Sequence, residues 1–278
     1  MPMPLVSVII PVFNRKDLLH RALRSVLKQR FRDFEVLVID DGSIDGVSEL
    51  PLLCSDTRIQ YHRLDINSGV SKARNTGIHH SKGTWIALLD SDDEWTADKL
   101  ADQMQWLKNN PAFKITQSRE IWVRNGKRVN PPATHEKFQG DLFKESLNRC
   151  MITPSSVIFH RDLITIAGGF NESLPACEDY DLWLRITSRF PVGLVPEYHL
   201  TRYGGHQDQL SSAVEILDRF RIRSILQLLY HSPLTEEQRK SAESVCARKA
   251  SIIAQGCLKR GNQNLYLRYQ SIARSFGF

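Results

Sequence analysis

Asp90-Ser91-Asp92-Asp93 places three carboxylates in four positions, directly behind the apolar run Trp85–Leu89. Such a cluster repels itself unless a cation or a hydrogen-bond network compensates. Hard divalent ions favour oxygen ligands, and Mg²⁺ is commonly held by one or two carboxylates together with substrate phosphates. A departing diphosphate needs that neutralisation as its bond breaks. An acidic turn leading into a helix capped by Thr96 is the plainer alternative. The position behind a strand, together with a second acid pair at Asp40-Asp41, favours the metal.

Other stretches carry weaker signals of the same kind. Asp40-Asp41-Gly42-Ser43 follows the run Glu35–Ile39. A carboxylate there can accept hydrogen bonds from a base N–H or from ribose hydroxyls, although a plain Asp-Gly turn is common. Asn67–Asn75 sets Gly69 just before a helix carrying Arg74. That guanidinium either reaches a base carbonyl or phosphate, or lies on the surface of an amphipathic helix. Glu178-Asp179 opens another helix. An Asp at a pocket edge suits a base that deprotonates an acceptor hydroxyl, while acids at a helix N-terminus also suit its dipole. His206, in Arg202-Tyr-Gly-Gly-His206, is a candidate metal or phosphate ligand or else a structural histidine. Neither a Walker A pattern nor Gly-x-Gly-x-x-Gly occurs, so the usual NTPase and dinucleotide loops are missing.

These residues need elements to position them. Val6–Ile10, Glu35–Ile39, Ile59–Arg63 and Trp85–Leu89 read as buried strands. Between them, Leu18, Leu19, Ala22, Leu23, Val26 and Leu27 recur at helical spacing behind Asn14, a candidate cap. Ser71–His80 and a segment from Thr96 to about Asn109 also read as helices. Strands alternating with helices imply parallel pairing with right-handed crossovers, and ligands of such sheets sit off the carboxyl ends of the strands. Pro11–Asn14, Asp40–Ser43 and Asp90–Asp93 all fall at that edge. Further on, Asn125-Gly126 marks a hairpin within Lys114–Val129. Ser155–His160 is strand-like and Asp181–Phe190 helical. Ser211–Phe278 reads as all-helical, with breaks near Ser232-Pro233 and Gly261.

A chain of 278 residues with 41% hydrophobic and 24% charged residues can bury a sizeable core. The opening Met1–Ile10 lacks a basic n-region and a cleavage site, so it reads as a first strand and not a signal peptide. No run approaches the roughly 18 apolar residues that span a bilayer. Five dispersed cysteines with no metal-type spacing point to reduced thiols and a cytoplasmic location. The net charge of +6 is uneven: residues 211–278 hold 11 basic and 5 acidic side chains, whereas residues 1–210 hold 26 of each.

The ordered set of motifs resembles the family 2 glycosyltransferases, which have the GT-A fold. The resemblance is carried by Val6–Arg15, Val38–Ser43, Asn67–Asn75, Leu88–Asp93, Gly168–Glu172 and Glu178–Arg185, and covers roughly residues 5–210. It implies an α/β fold: a mixed, mainly parallel Rossmann-like sheet flanked by helices. Residues 1–100 would form the nucleotide-sugar half, 101–210 the acceptor half, and 211–278 a basic helical extension. It implies an inverting, metal-dependent transferase that uses a nucleotide-diphosphate sugar, with a uridine donor favoured, in cell-envelope or polysaccharide synthesis. Carried onto this chain, Pro11 and Phe13 line the nucleotide pocket and Asp41 recognises the base with Asp40 in support. Arg74 contacts base or phosphate, and Asp90 with Ser91 lies on the donor side. Asp92 ligates Mn²⁺ or Mg²⁺, with His206 a further metal position. Asp179 is the general base with Glu178 beside it.

A sugar nucleotidyltransferase is the first rival, but it usually carries a Gly-rich basic loop where this chain has Pro11–Arg15. A non-catalytic nucleotide-sugar binding module is the second, and retention of Asp179 beside the acidic cluster argues against it. The acceptor, a glycan or lipid-linked hydroxyl, is left open, and its pocket is expected from about 110–175. The basic C-terminal quarter is either a solvated helical cap or a dock for an anionic membrane at its inner face. Arg219, Arg221 and Arg223 beside Phe220, Ile222 and Ile225 motivate the second reading. No aromatic-interleaved basic groove is evident, so nucleic-acid binding is not expected.

Overall fold

The computed structural model describes residues 3–132, 135–205 and 216–277. Every residue of β1 (Val6–Val12) and β2 (Phe34–Asp40) is buried, as expected of parallel strands covered on both faces. β1 lies between β2 and β4 (Trp85–Leu88), and β2 pairs with β3 (Ile59–Arg63), all in parallel. Helices α1 (Lys16–Leu27) and α2 (Val70–His80) make crossovers between them. Because the strands run the same way, Pro11–Asn14, Asp40–Ser43 and the start of Asp90–Asp93 emerge at one edge. The register sets Val12 opposite Asp40 and Ile9 opposite Leu88.

A second half continues the sheet. It comprises β5 (Glu94–Trp95), α3 (Lys99–Asn109), β6 (Ile115–Arg124), β7 (Lys127–Val129), α4 (Phe143–Asn148), β8 (Val157–His160), α5 (Asp162–Ala167), α6 (Glu178–Thr187) and β9 (Gly193–Gly204). β6 and β7 form the expected hairpin around Asn125-Gly126, both at positive φ. β8 runs antiparallel between β4 and β6 and so joins the halves. β9 lies parallel to β6 and antiparallel to β5. The strand order is β3-β2-β1-β4-β8-β6-β9-β5, with β7 on β6. This is the mixed α/β sheet expected, with helices on both faces. One core packs beneath α1 and α3, and another beneath α2, α5 and α6.

Two expected helix caps are absent. Asn14 sits in the left-handed region at φ 51°, its Oδ1 accepts the Ile44 N–H, and α1 starts after Arg15. Thr96 turns its hydroxyl to His199 Nδ1 at 2.7 Å, and α3 starts after Asp98. In both cases a long-range partner outcompetes the helix for a polar side chain.

The chain ends in α7 (Asp218–His231), α8 (Glu236–Lys259) and α9 (Gln263–Ser275). The breaks fall where Ser232-Pro233 and Gly261 mark them. Thr235 and Gln238 form a reciprocal capping box on α8. These helices share a core with the sheet half: Phe143, Leu147, Tyr180 and Leu184 pack with Ile222, Ile225, Leu228 and Cys246. Within the patch expected to meet lipid, Arg219 and Arg223 are exposed while part of its apolar set faces inward. Ile222 and Ile225 are buried, Arg221 lies over the Tyr180 ring, and Arg223 donates to Ser173. No helix among the described residues is long and apolar enough to cross a membrane.

Candidate active site

A cleft of about 670 Å³ opens along the carboxyl edge of the parallel strands. Pro11, Phe13, Asp41, Arg74, Asp90, Ser91, Asp92, Glu178 and Asp179 all line it. Residues separated by more than 160 positions in the chain are thus gathered around one space. His206 lies outside the described residues.

Asp41 stands on the turn after β2 and fastens the start of α2. Its two carboxylate oxygens accept the Ser68 and Gly69 N–H groups, each at 2.8 Å. Burial raises its pKa, partly offset by those amides. Asp40, in contrast, does not line the cleft. Its fully buried carboxylate accepts from Ser43 N–H and the Tyr61 hydroxyl and faces Arg63 at 3.6 Å. It braces the turn that presents Asp41.

The acidic loop is pinned from several sides. The Ser155 hydroxyl accepts the Asp90 N–H, and Trp95 Nε1 donates to the Ser155 carbonyl at 2.7 Å. Asp92 Oδ2 accepts from Arg15 at 2.9 Å, while Arg21 donates to the Asp92 carbonyl. Asp93 Oδ1 accepts the Tyr203 N–H at 3.0 Å. Burial, followed by the charges of Asp92 and Asp90, holds the Asp93 carboxyl well above the ordinary range. The three acids of this loop thus act on one another, with Arg15 on Asp92 and Arg74 on Asp90. No group of three or more His, Cys, Asp or Glu side chains converges as a ready metal cage among the described residues. The donor set fits Mg²⁺ or Mn²⁺ bound by one or two carboxylates, with phosphate oxygens completing the shell. Asp92, with Asp90 beside it, would hold it.

Arg74, expected to contact base or phosphate, lines the cleft and is held there by two carboxylates. It is 3% exposed. One terminal nitrogen donates to Asp90 Oδ1 and the other to Glu178 Oε1, each at 2.7 Å. Burial alone would lower its pKa, but the two carboxylate charges outweigh burial and raise it. Glu178 is pushed up by burial and by Asp179, with Arg74 opposing. Asp179 Oδ1 accepts the Tyr180 N–H at 2.6 Å, and its Oδ2 lies 3.4 Å from the Cys150 thiol. Burial, then the Asp179 charge, keeps that thiol neutral.

The far wall comes largely from the 110–175 stretch, with additions. Glu120 Oε2 faces Lys137 at 3.3 Å, and Trp122 Nε1 donates to its Oε1 at 2.6 Å. Burial would raise the Glu120 pKa, but Lys137 and Arg202 bring it down to about 2. Arg15, Arg202, Tyr203 and Arg221 also line the cleft. The sequence assigned none of the four to the cleft. Arg15 and Arg202-Tyr203 lie inside motifs already singled out and Arg221 in the patch read as a lipid dock, whereas nothing local marks Glu120 or Lys137.

A family model described as "Glycosyl transferase family 2" matches residues 7–165. An uncharacterized glycosyltransferase of Rickettsia conorii is 37% identical over 196 residues, 68% of this chain but 31% of that protein. The chain thus spans about a third of the length of that relative. WfgD of Escherichia coli, named as a UDP-Glc:alpha-D-GlcNAc-diphosphoundecaprenol beta-1,3-glucosyltransferase, is 37% identical over 66% of this chain and 69% of its own. Among solved structures, S. aureus TarS 1–349 in complex with UDP-GlcNAc superposes with a TM-score of 0.68 at 17% identity, over 97% of this chain and 91% of that one. The mannosyltransferase PcManGT of Pyrobaculum calidifontis, in complex with GDP-Man and Mn²⁺, gives 0.62 at 16% identity, over 99% and 85%. At those identities the likeness shows the fold, which is that of the glycosyltransferases named.

Proposed function

The chain belongs to glycosyl transferase family 2, and from that premise we propose that it is an inverting transferase moving a sugar from a nucleoside diphosphate to an acceptor hydroxyl. One observation carries the reading. A single cleft brings the base-reading candidate Asp41, the acidic loop Asp90–Asp92 and the candidate base Asp179 together from three distant parts of the chain.

Asp179, in the first turn of α6, takes the proton of the acceptor hydroxyl. The acceptor oxygen attacks the anomeric carbon, and the bond to the diphosphate breaks with its electron pair leaving on the phosphate. One base and no protein nucleophile give inversion. Of the neighbouring acids, Glu178 is bound to Arg74 and Asp93 to a backbone amide. Mn²⁺ or Mg²⁺ at Asp92, when bound, supplies neutralisation of the leaving diphosphate. Held geometry supplies the rest, through proximity and oriented donors. A uridine donor is supported by relatives named as using UDP-Glc and by a fold neighbour bound to UDP-GlcNAc. A lipid-diphosphate acceptor in envelope glycan synthesis is supported by the names of the same Escherichia coli relatives.

Asp179→Asn tests the central role, with transfer and donor binding measured separately. Transfer is expected to fall by roughly 10²–10⁴-fold, the range for a lost general base, while UDP binding with Mn²⁺ persists. Unimpaired transfer would remove Asp179 from the mechanism.

A further inference from the structure

Helix α2 touches both sides of the cleft. Its start is fastened to β2 through Asp41, and Gly77 packs it against β1. Asn75 accepts the Phe170 N–H and donates to the Phe170 carbonyl and to Glu172, each at 2.8 Å. Lys72 faces Glu172 at 3.5 Å. Between them Arg74 spans from Asp90, at the end of β4, to Glu178, at the start of α6. These partners lie 16 and 104 positions away in sequence. The guanidinium lies 5.1 Å from the Phe170 ring centroid, and its Nε has no hydrogen-bond partner among the described residues. It is therefore held by its two ends.

We propose that Arg74 is a positioning residue that couples the donor side of the cleft to the first turn of α6, fixing where Asp179 stands relative to a bound donor. A rigid planar fork can satisfy two carboxylates at once, whereas a lysine is a single point charge on a flexible stem. Glu178 and Asp179 are consecutive, so whatever fixes the Glu178 side chain fixes the turn that carries Asp179. Cys177, the residue before, sits in the left-handed region at φ 63°, so this turn is conformationally demanding and needs an outside tether. The coupling rests on the reading of Asp179 as the base.

The test uses the full chain with Arg74→Met, Arg74→Lys, Glu178→Gln and the Arg74→Met/Glu178→Gln double variant. Backbone amide exchange is followed without ligand, and release of UDP from UDP-glucose is followed with Mn²⁺. Arg74→Met and Glu178→Gln are each expected to speed exchange in residues 176–181 while β1 and β2 keep their protection. Glu178→Gln should lower kcat by about 10- to 100-fold, the scale of a misplaced catalytic group, with the donor KM held within about threefold. Arg74→Met should lower kcat on a similar scale, and the double variant should lose no more than the worse single one, since one tether is cut twice. Arg74→Lys should recover only part of the loss. If Arg74→Met does not fold, Arg74→Lys and Glu178→Gln give the same comparison. Losses that multiply in the double variant, or unchanged exchange at 176–181 on altering Arg74, would overturn the coupling. Failure of the base reading looks different: Asp179→Asn would turn over normally while the Arg74 and Glu178 losses still overlapped.

Discussion

Asp92 and Asp93 are neighbours with different surroundings, and the difference sets what each can do. Asp93 is buried on a backbone amide, and its charged form is disfavoured by Asp92 and Asp90. Asp92 lines the cleft, and its Oδ2 accepts from the Arg15 guanidinium at 2.9 Å. Asp92→Asn is therefore expected to leave the folded state intact, because it relieves a like charge beside Asp93. The same change should abolish the gain in UDP affinity that Mn²⁺ brings, by roughly 10–100-fold or more, given that even supporting groups of metal sites are worth that much. Calorimetric titration with UDP, with and without Mn²⁺, makes the comparison; an equal gain in the variant would exclude Asp92 as the ligand. At this scale the acids on strand ends were legible in sequence, because a carboxylate behind a buried strand has few bland uses. The partners of Asp40 and Arg74 were not legible, because only the folded chain brings them near: Tyr61 for one and Glu178 for the other.

Helix α2 can lie close enough to the sheet to carry Arg74 into the cleft because position 77 has no side chain. A Cβ there would stand 2.5 Å from Ile9 Cγ2 and 3.2 Å from Ile39 Cγ1. Gly77→Ala gains helix propensity of about 1 kcal/mol, but forcing β1 and α2 apart costs about 1–3 kcal/mol. The expected outcome is a net loss of stability in denaturant titration together with lowered turnover, whereas a stabilised, fully active variant would contradict this packing. The first-half elements were legible because their strands are short continuous apolar runs buried on both faces and the apolar positions of α1 keep helical spacing. β9 was not. Pro196 interrupts it, a register shift around Arg119 breaks its pairing with β6, and its outer positions are polar. β5 is two residues long and exists only because β9 is beside it.

Across the whole molecule, the helices after residue 216 belong to the same folded body as the sheet. Tyr180 and Leu184 show their inner faces to Ile222, Ile225 and Leu228, and Arg221 and Leu217 line the cleft. A chain ending at residue 210 is expected to expose that apolar surface and to lose its single cooperative unfolding transition, which calorimetry would reveal. A sharp, wild-type-like transition would show that the last helices are dispensable for folding. The regular break points of these helices were readable in sequence, but their partners were not, since an apolar helical stripe does not state what covers it. The strand order has a further consequence, in time. Asp90 and Arg74 are made early, but β9 and α6, which supply Tyr203 and Glu178, follow about a hundred residues later. At roughly 5–20 residues per second, a growing chain on the ribosome waits on the order of 5–20 s with its acidic loop built and its far wall missing. The cleft is therefore completed late, and a product interrupted before residue 178 has its acidic loop without the groups that Arg74 and Asp93 bind across it.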